Sequence, residues 1–577
     1  MFRPAIDPLG HPALTALLAS APLLVLLTLL GVLRTASHRA ALGGLATAAL
    51  IAVAVYDMPP DQVADGAAEG AAFGLFPIVW IVLNAVWINE LQRVGGHFDL
   101  VGRAFCALSG DVRVQAVLVA YCFGALVESL SGFGTPIAIT SLLLLALGLR
   151  PLKAAAVATF ANTAPAAFGS VGNPIQALAR VTSFPAHDLG AMVGRQSAVV
   201  AALVPFALLL MLDGRRGLRQ AWPAALTAGV GFGAGQFLCS NFFAYQLTDI
   251  VGALASTAAL VVLLRVWRPR GGSAGEGARA PGPRDGAAPH PAVHGAPART
   301  VPPPMPPAAD ADGRTTVSPA RPRSRPAPHR AETLRAFSPY ALLVVLFALT
   351  SYHGPVQRFV AAQGVAFAWP GLHVLGADGH PATVTVFDFG WLGAAGTLLL
   401  AAGVLTAWIL RVPVRVAVRC YGRTLRRLRR AAFTVACVLA LSYVMNLSGM
   451  AVSLGTWLAG LGSAFALLSG FLGWFGVALT GSDTSSNALF GAMQVSAARQ
   501  AGLSPLLMAA TNSTGGVQGK AVAMQNLVIA ASALGIPGRE GEILRRVLGW
   551  SLGVLAVLCL LAWLQSTPVL DWTVPGS

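Results

Sequence analysis

Apolar runs long enough to cross a lipid bilayer recur along the whole chain, and their length constrains the fold more than any other feature. The hydrocarbon core of a bilayer is about 30 Å thick, which takes roughly 20 helical residues to cross. Of the 577 residues 55% are hydrophobic and 11% charged, with a mean hydropathy of +0.67. A soluble domain carries about 25% charged residues, so this chain lacks the polar surface a soluble domain needs. The first run, about Ala13 to Leu33, is followed by Arg34 and Arg39 without a small-residue cleavage pattern, and reads as a retained span. The sequence describes an all-α polytopic membrane protein with about 12 transmembrane helices plus two re-entrant hairpins, arranged as two inverted repeats.

The net charge of +16 does not point to nucleic acid, because the arginines sit in short connections between apolar runs. Basic connections mark the cytoplasmic side. Arg34 and Arg39 place the first connection inside and the N-terminus outside. The segment Tyr56 to Glu69, with Asp57, Asp61, Asp65 and no Lys or Arg, is expected to be an outer loop. Arg93, Arg103 and Arg113 return the chain to the inside, as do Arg150 with Lys153, and Arg215, Arg216 and Arg219. The basic runs Arg411 to Arg430 and Arg539 to Arg546 fall inside as well, each in step with the number of crossings before it. Val414 to Phe433 reads as an interfacial helix on the inner leaflet, a lipid contact. The Pro/Arg-rich stretch 268–335 has almost no large apolar residues, cannot offset its ordering entropy, and is expected to be a disordered cytoplasmic linker. Cys106, Cys122, Cys239, Cys420, Cys437 and Cys559 lie in or beside apolar runs with no CxxC spacing, so no disulfide framework, metal or cofactor is expected.

Two apolar stretches are interrupted in the same way. Val114 to Leu149 contains ESLSGFGTP, Glu128 to Pro136, and Ala459 to Ala498 contains GSDTSSN, Gly481 to Asn487. Each is followed by GLRPL (Gly148 to Leu152) or GLSPL (Gly502 to Leu506), and then by an irregular span. These spans are ATFANTAPAAFGSVGNP, Ala158 to Pro174, and AATNSTGGVQGKAVAMQ, Ala509 to Gln525. By the arginine count the first hairpin enters from the cytoplasm and the second from outside, which makes the repeat inverted. The expected organisation is a first repeat over 1–219, with three spans, a hairpin at 114–149, a broken span at 151–180 and one further span. Two bridging spans follow at 220–267. After the linker comes a second repeat over 336–577, with three spans, a hairpin at 455–500, a broken span at 504–535 and a final span. Paired Gly/Pro-interrupted segments at matching places of two halves point to the binding site of a secondary transporter.

Irregular backbone at membrane depth must be buried in protein or line a watery cavity. At the second interruption Ser482, Thr484, Ser485, Ser486 and Asn487 can serve freed backbone groups or a ligand. A half-helix starting near Thr484 presents free N–H groups to an anion, and the tip with Gly132, Gly134 and Thr135 does the same ahead of Pro136. Simple capping by Ser, Asp and Asn is the plainer role for these groups and is compatible with binding. Intramembrane charges are functional by default. Glu128 and Asp483 are placed to carry a proton, and Lys520 to neutralise a carboxylate or merely to pair with one of those acids. Asn162, Thr163, Asn512, Ser513 and Thr514 lie in the broken spans and suit a carboxylate, a hydroxyl or a cation, while Arg195 and Glu90 lie nearer span ends. No GxxxxGK[ST] phosphate loop is present, which argues against ATP-driven transport by this polypeptide.

SGFGTPIAI at 131–139, MVGRQ at 192–196, GSDTSSNALF at 481–490 and TNSTGGVQGK at 511–520 resemble signature stretches of the L-lactate permease family, and IDPLG at 6–10 resembles its opening. The similarity runs over nearly the whole chain. It departs in the Pro/Arg-rich segment near Gly271 to Arg330 and after Lys520, where AVAMQN stands and the family more often has a proline before the glutamine. The resemblance implies no enzyme but a proton-coupled symporter of the bacterial inner membrane that takes up L-lactate, with D-lactate and glycolate as related substrates. In that reading the carboxylate sits on half-helix N-termini and Lys520, polar side chains read the 2-hydroxyl, and Asp483 or Glu128 takes the proton. Sodium coupling through the Asn/Ser/Thr tips, and a sensor or channel with a transporter-like body, are the alternatives. Oligomeric state is left open.

Overall fold

The computed structural model describes residues 1–132, 134–269, 330–351, 354–375 and 385–575. Most of the linker expected to be disordered, 270–329, lies outside them. Among the described residues, nine helices are long and apolar enough to cross a membrane. Other apolar segments form shorter helices, such as Thr135–Ala146 and Pro151–Ala161, because glycines and prolines stop them. The chain is a multi-pass, all-helical membrane protein. Its one addition among the described residues is a small antiparallel ribbon, β1 (Val365–Ala368) on β2 (Val386–Phe389).

The chain opens with α1 (Pro12–Gly31) packed on α2 (Ser37–Ala54). Next comes α3 (Pro60–Phe73), which passes through a π-helical turn, Gly74–Val79, into α4 (Trp80–Val94). The acidic stretch expected as an outer loop is therefore largely helical, and Glu69 within it is fully buried. Proline at the start of α3 presets its first turn. Small residues at Gly66, Gly70 and Gly74 then let it approach a long later helix, α16 (Val414–Ser448), so closely that a Cβ on Gly70 would stand 2.6 Å from the Leu439 carbonyl oxygen. α16 corrects a second expectation. The basic run at 414–433 is not a separate interfacial helix but the first half of a 35-residue helix whose second half is buried. Nothing between Arg430 and Ser448 breaks helical backbone.

α5 (His97–Cys106) connects α4 to the first hairpin, and α13 (Arg330–Ser351), α14 (Pro355–Ala361) and α15 (Ala395–Ile409) precede α16. The hairpin rises as α6 (Val112–Val117), a π-helical turn and α7 (Gly124–Ser131), and returns as α8 (Thr135–Ala146). Its rising limb is 94% buried, against 33% for α1. A segment wrapped so completely packs against protein and not lipid, as interrupted backbone at membrane depth requires. α7 ends at Ser131, and Gly132 and Gly134 are both at positive φ, so Glu128 sits in the last helical turn and not in the break. The first broken span is α9 (Pro151–Ala161) and α10 (Gly169–Thr182). The 57-residue α11 (Ala186–Phe242) is interrupted at Asp213 and Gly214, and α12 (Thr248–Val266) follows. At about 1.5 Å per residue α11 has the length of two crossings.

The second hairpin is α18 (Phe465–Thr480) and α19 (Asp483–Gln500). It begins at Phe465 and not at 455, because α17 (Met450–Ala459) continues from α16 across Gly449 and stops at a turn near Gly460. Its break is confined to Gly481 and Ser482, so Asp483 to Asn487 are helical. The second broken span is α20 (Pro505–Gly519) and α21 (Met524–Ala533), and α22 (Glu540–Gln565) closes the chain. α18 and α20 meet through glycine. A Cβ on Gly473 would stand 2.0 Å from the Asn512 carbonyl oxygen, and one on Gly515 2.2 Å from that of Gly470. Such close backbone approach is how membrane helices gain packing without a hydrophobic drive between them.

Gly515→Leu should therefore force the two helices apart and destabilise by at least about 1–3 kcal/mol. Gly549→Leu on α22, where an added Cβ meets nothing within 4 Å, should leave stability unchanged. Thermal unfolding of both variants in detergent checks this; equal melting temperatures would contradict it.

Candidate functional site

The two hairpins and the two broken spans converge. At the first tip a Cβ on Gly132 would come within 2.5 Å of Ser170 Oγ in the first break, and one on Gly134 within 2.3 Å of Ile529 on α21. At the second tip Gly481 faces Gln525, whose Oε1 would be 2.9 Å from an added Cβ. Positive φ and crowding together reserve these tips for glycine. The first break carries its own strain. Ser170, Val171 and Gly172 are successively left-handed, and a β-branched residue such as Val171 is rarely found there. Conformations of this kind cost about 1–3 kcal/mol each and persist where the surroundings impose them.

Glu128 and Lys520 form a buried ion pair through Glu128 Oε1, joining the first hairpin to the second break. Asn162, at the end of α9, donates to Glu128 Oε2 at 3.0 Å. Gly169 leaves room for this carboxylate, since a Cβ there would stand 2.8 Å from Oε1. The Lys520 carbonyl is held by Asn526 Nδ2 at 2.9 Å.

Asp483 starts α19, where its charge meets the positive end of the helix. Ser513 Oγ donates to its Oδ2 at 2.7 Å and Asn487 Nδ2 reaches the same oxygen at 3.3 Å. Asn487 also donates to the Pro174 carbonyl at 3.1 Å, tying the second hairpin to the first broken span. Asn512 donates to Asn487 Oδ1 at 2.9 Å, and Gln494 to Asn512 Oδ1 at 3.1 Å. Gly516 makes space for Asp483 Oδ1, which would be 2.4 Å from a Cβ. That oxygen is buried without a hydrogen-bond partner among the described residues, as are Asn162 Oδ1 and Asn173 Oδ1. Lys520 lies within electrostatic reach of Asp483 as well as Glu128.

The structure thus gathers Glu128, Asn162, Asp483, Asn487, Asn512, Ser513 and Lys520 around the breaks. Gly132, Gly134, Thr135 and Thr484 line the tips, with both threonines half-buried. Other polar residues selected from sequence have local duties. Thr163 Oγ1 donates to the Phe160 carbonyl and Ser486 Oγ to that of Gly473. Ser482 caps α19 by accepting from the Ser485 N–H at 3.3 Å, so that N–H is not free for an anion as expected. Thr514 points elsewhere, donating to Gln196 Oε1 at 2.6 Å within a second network that includes Gln565 and Thr511.

Sequence reading did not select Asp249, Gln236, Glu69 or Arg180. Asp249 begins an apolar span and looks like a residue at a loop edge. Arg180 follows the first break on α10, bonds to buried Glu69 at 3.0 Å and to the Tyr443 hydroxyl at 2.5 Å, and stacks on Phe73 and Tyr443. This pair fastens α10 to α3 and α16. The one visible signal was an arginine within ten residues of a glycine-rich break. A cavity of about 440 Å³, lined by Phe76, Gln176, Gln246, Phe347, Asp388 and Leu398, does not enclose the ionic cluster. Gln176, on α10 two residues after Pro174, contributes to its wall.

Helices broken opposite two helical hairpins, with a buried lysine between acids, are the arrangement of a membrane carrier. The L-lactate permease family model matches residues 15–569, and the chain belongs to that family. It is 37% identical over 572 residues to the glycolate permease GlcA of Escherichia coli (strain K12), covering 97% of each chain. It is 34% identical over 585 residues to the L-lactate permease of Bacillus subtilis (strain 168), covering 98% of each. With the L-lactate permease of Salmonella typhimurium it shares 35% over 591 residues and 100% of both chains. Among solved structures, the Alcanivorax borkumensis YdaH transporter aligns over 86% of each chain at 14% identity and a TM-score of 0.42, a likeness too low to bear on the fold.

Removing one partner of a buried ion pair strands the other charge at a cost of about 3–5 kcal/mol, whereas replacing both is nearly neutral. Lys520→Met alone should destabilise the protein strongly, and adding Glu128→Gln should recover most of the loss. Unfolding of the single and double variants in detergent reads this; a double variant as unstable as Lys520→Met would contradict it.

Proposed function

We propose that the protein imports L-lactate, with D-lactate and glycolate as further substrates, by proton symport across the bacterial inner membrane. The observation that carries this reading is that Lys520 is already paired with Glu128. A substrate carboxylate that takes Lys520 leaves Glu128 buried without its counter-charge, and a buried carboxylate so stranded takes a proton. The same competition arises at the start of α19. There Asp483 occupies the positive helix end that an anion would use, and protonation of Asp483 removes the conflict. Anion binding and proton binding are thereby linked.

The roles follow. Lys520 and the hairpin tips, with Gly132, Gly134, Thr135 and Thr484, receive the carboxylate. Asn162, Asn487, Asn512 and Ser513 read the 2-hydroxyl, and Glu128 and Asp483 carry the proton. The names of the relatives support this substrate class. We read 1–219 and 336–577 as two inverted repeats joined by spans at 220–267. The succession helix, break, helix, turn, broken span at 112–182 and again at 465–533 supports this. Alternating access then moves the hairpin-bearing bundle against α1 to α4 and α13 to α16. A sodium-coupled cycle is the second reading, favoured by the unpartnered buried oxygens of Asp483, Asn162 and Asn173.

The test is uptake of labelled L-lactate into liposomes holding the purified protein, under an inward proton gradient without sodium. Accumulation above equilibrium that collapses with the gradient is expected. Accumulation only after sodium is added would replace the proton by sodium. Losing Lys520's charge-assisted contact to a carboxylate is worth about 1.5–3 kcal/mol. Lys520→Ala, and Asp483→Asn through lost coupling, should thus each lower gradient-driven uptake at least about tenfold; near-parental uptake by both would remove these assignments.

A further inference from the structure

Asp249 stands in the first turn of α12, outside both hairpins and both broken spans, and is completely buried. Gln236 Nε2 on α11 reaches its Oδ1 at 3.4 Å and the Ala164 carbonyl at 3.3 Å, so the acid is tethered to the backbone of the first break. Asp249 Oδ2 and Gln236 Oε1 are both buried and have no hydrogen-bond partner among the described residues. α12 packs against α7, the helix that carries Glu128. Glu128 and Lys520 are both within electrostatic reach of Asp249. Among the described residues, the other titratable groups that interact with it are Tyr121, on the π-helical turn, and Cys239, on α11, which are ordinarily neutral at pH 7.

One ammonium cannot neutralise two buried carboxylates. Lys520 is taken by Glu128, which leaves the Asp249 carboxyl without an ion-pair partner of its own among the described residues. Tethered by one long hydrogen bond and otherwise unsatisfied, Asp249 is poorly built as a structural brace. Resting on the reading of Glu128 and Lys520 above, we propose that Asp249 is a proton-carrying residue of the transport cycle, serving Glu128. When a substrate carboxylate draws Lys520 away, the proton of the Asp249 carboxyl passes to the Glu128 carboxylate. Asp249 is left ionised and takes a proton from the aqueous side. One anion and one proton have then entered the site.

The experiment compares proton-driven accumulation of labelled L-lactate with lactate–lactate exchange at equal pH, in liposomes holding the parent, Asp249→Asn or Asp249→Glu. Exchange needs no net proton movement. The ratio of accumulation to exchange should fall at least tenfold in Asp249→Asn, and Asp249→Glu should restore it with a displaced pH profile. A parental ratio in Asp249→Asn would overturn the proposal. So would equal loss of both activities in Asp249→Asn that Asp249→Glu leaves unrepaired, since that marks a structural role. If Asp249→Asn does not reach the membrane, Asp249→Glu decides alone: a displaced pH profile supports the proposal and an unchanged one overturns it. Failure of the underlying reading looks different, because the parent then shows no proton-driven accumulation, or Glu128→Gln keeps the parental ratio.

Discussion

A lysine ammonium buried among helices has to be answered by negative charge, and the organisation of the centre follows from how Lys520 is answered. Its direct partner, Glu128, belongs to the first hairpin, while Lys520 belongs to the second break. The pair can form only if the hairpin limb reaches across to α20, and the glycines at 132, 134 and 169 clear that path. Asp483 and Asp249 stand within reach of the same cation. A single positive charge shared among several acids is sensitive to any incoming anion. In a carrier of anions that sensitivity is the useful property.

The breaks explain why so many amides surround this cation. Each interruption releases backbone N–H and C=O groups that lipid cannot satisfy. Asn487 illustrates the remedy: one side chain contacts Asp483, Ser513 and the Pro174 carbonyl, and so joins the acid, α20 and the opposite broken span. Such a network is rigid where every member is satisfied and responsive where an oxygen is left over. The leftover oxygens of Asp483, Asn162 and Asn173 all sit on the hairpin or in the breaks. Elsewhere the same economy is structural, as in the Glu69–Arg180 pair that fastens α10 to α3 and α16.

Much of this was legible in one dimension. Run length and sparse charge predicted a helical membrane protein, and the paired interruptions located the segments that converge. Glu128, Asp483 and Lys520 stood out because ionisable residues are rare in such runs. The misreadings have a common cause. Glu69 looked like a loop acid because Asp57, Asp61 and Asp65 precede it, and only its packing beside Arg180 shows it buried. The basic run at 414–433 looked interfacial because its charge pattern is amphipathic, yet the helix continues unbroken into the core.

What the sequence determined by itself was the solvent of the protein, the order of its helices and breaks, and the chemical kinds of group at the breaks. These depend on local properties: run length, glycine and proline placement, and the cost of burying a charge. What only the tertiary structure decided was pairing. Glu128 with Lys520, separated by 392 positions, and Asn487 with Pro174, separated by 313, are contacts no local rule encodes. The same holds for Asp249, unremarkable at the edge of its span until α12 is laid against α7. Charge at membrane depth acquires its meaning from what stands opposite, and that is set by packing.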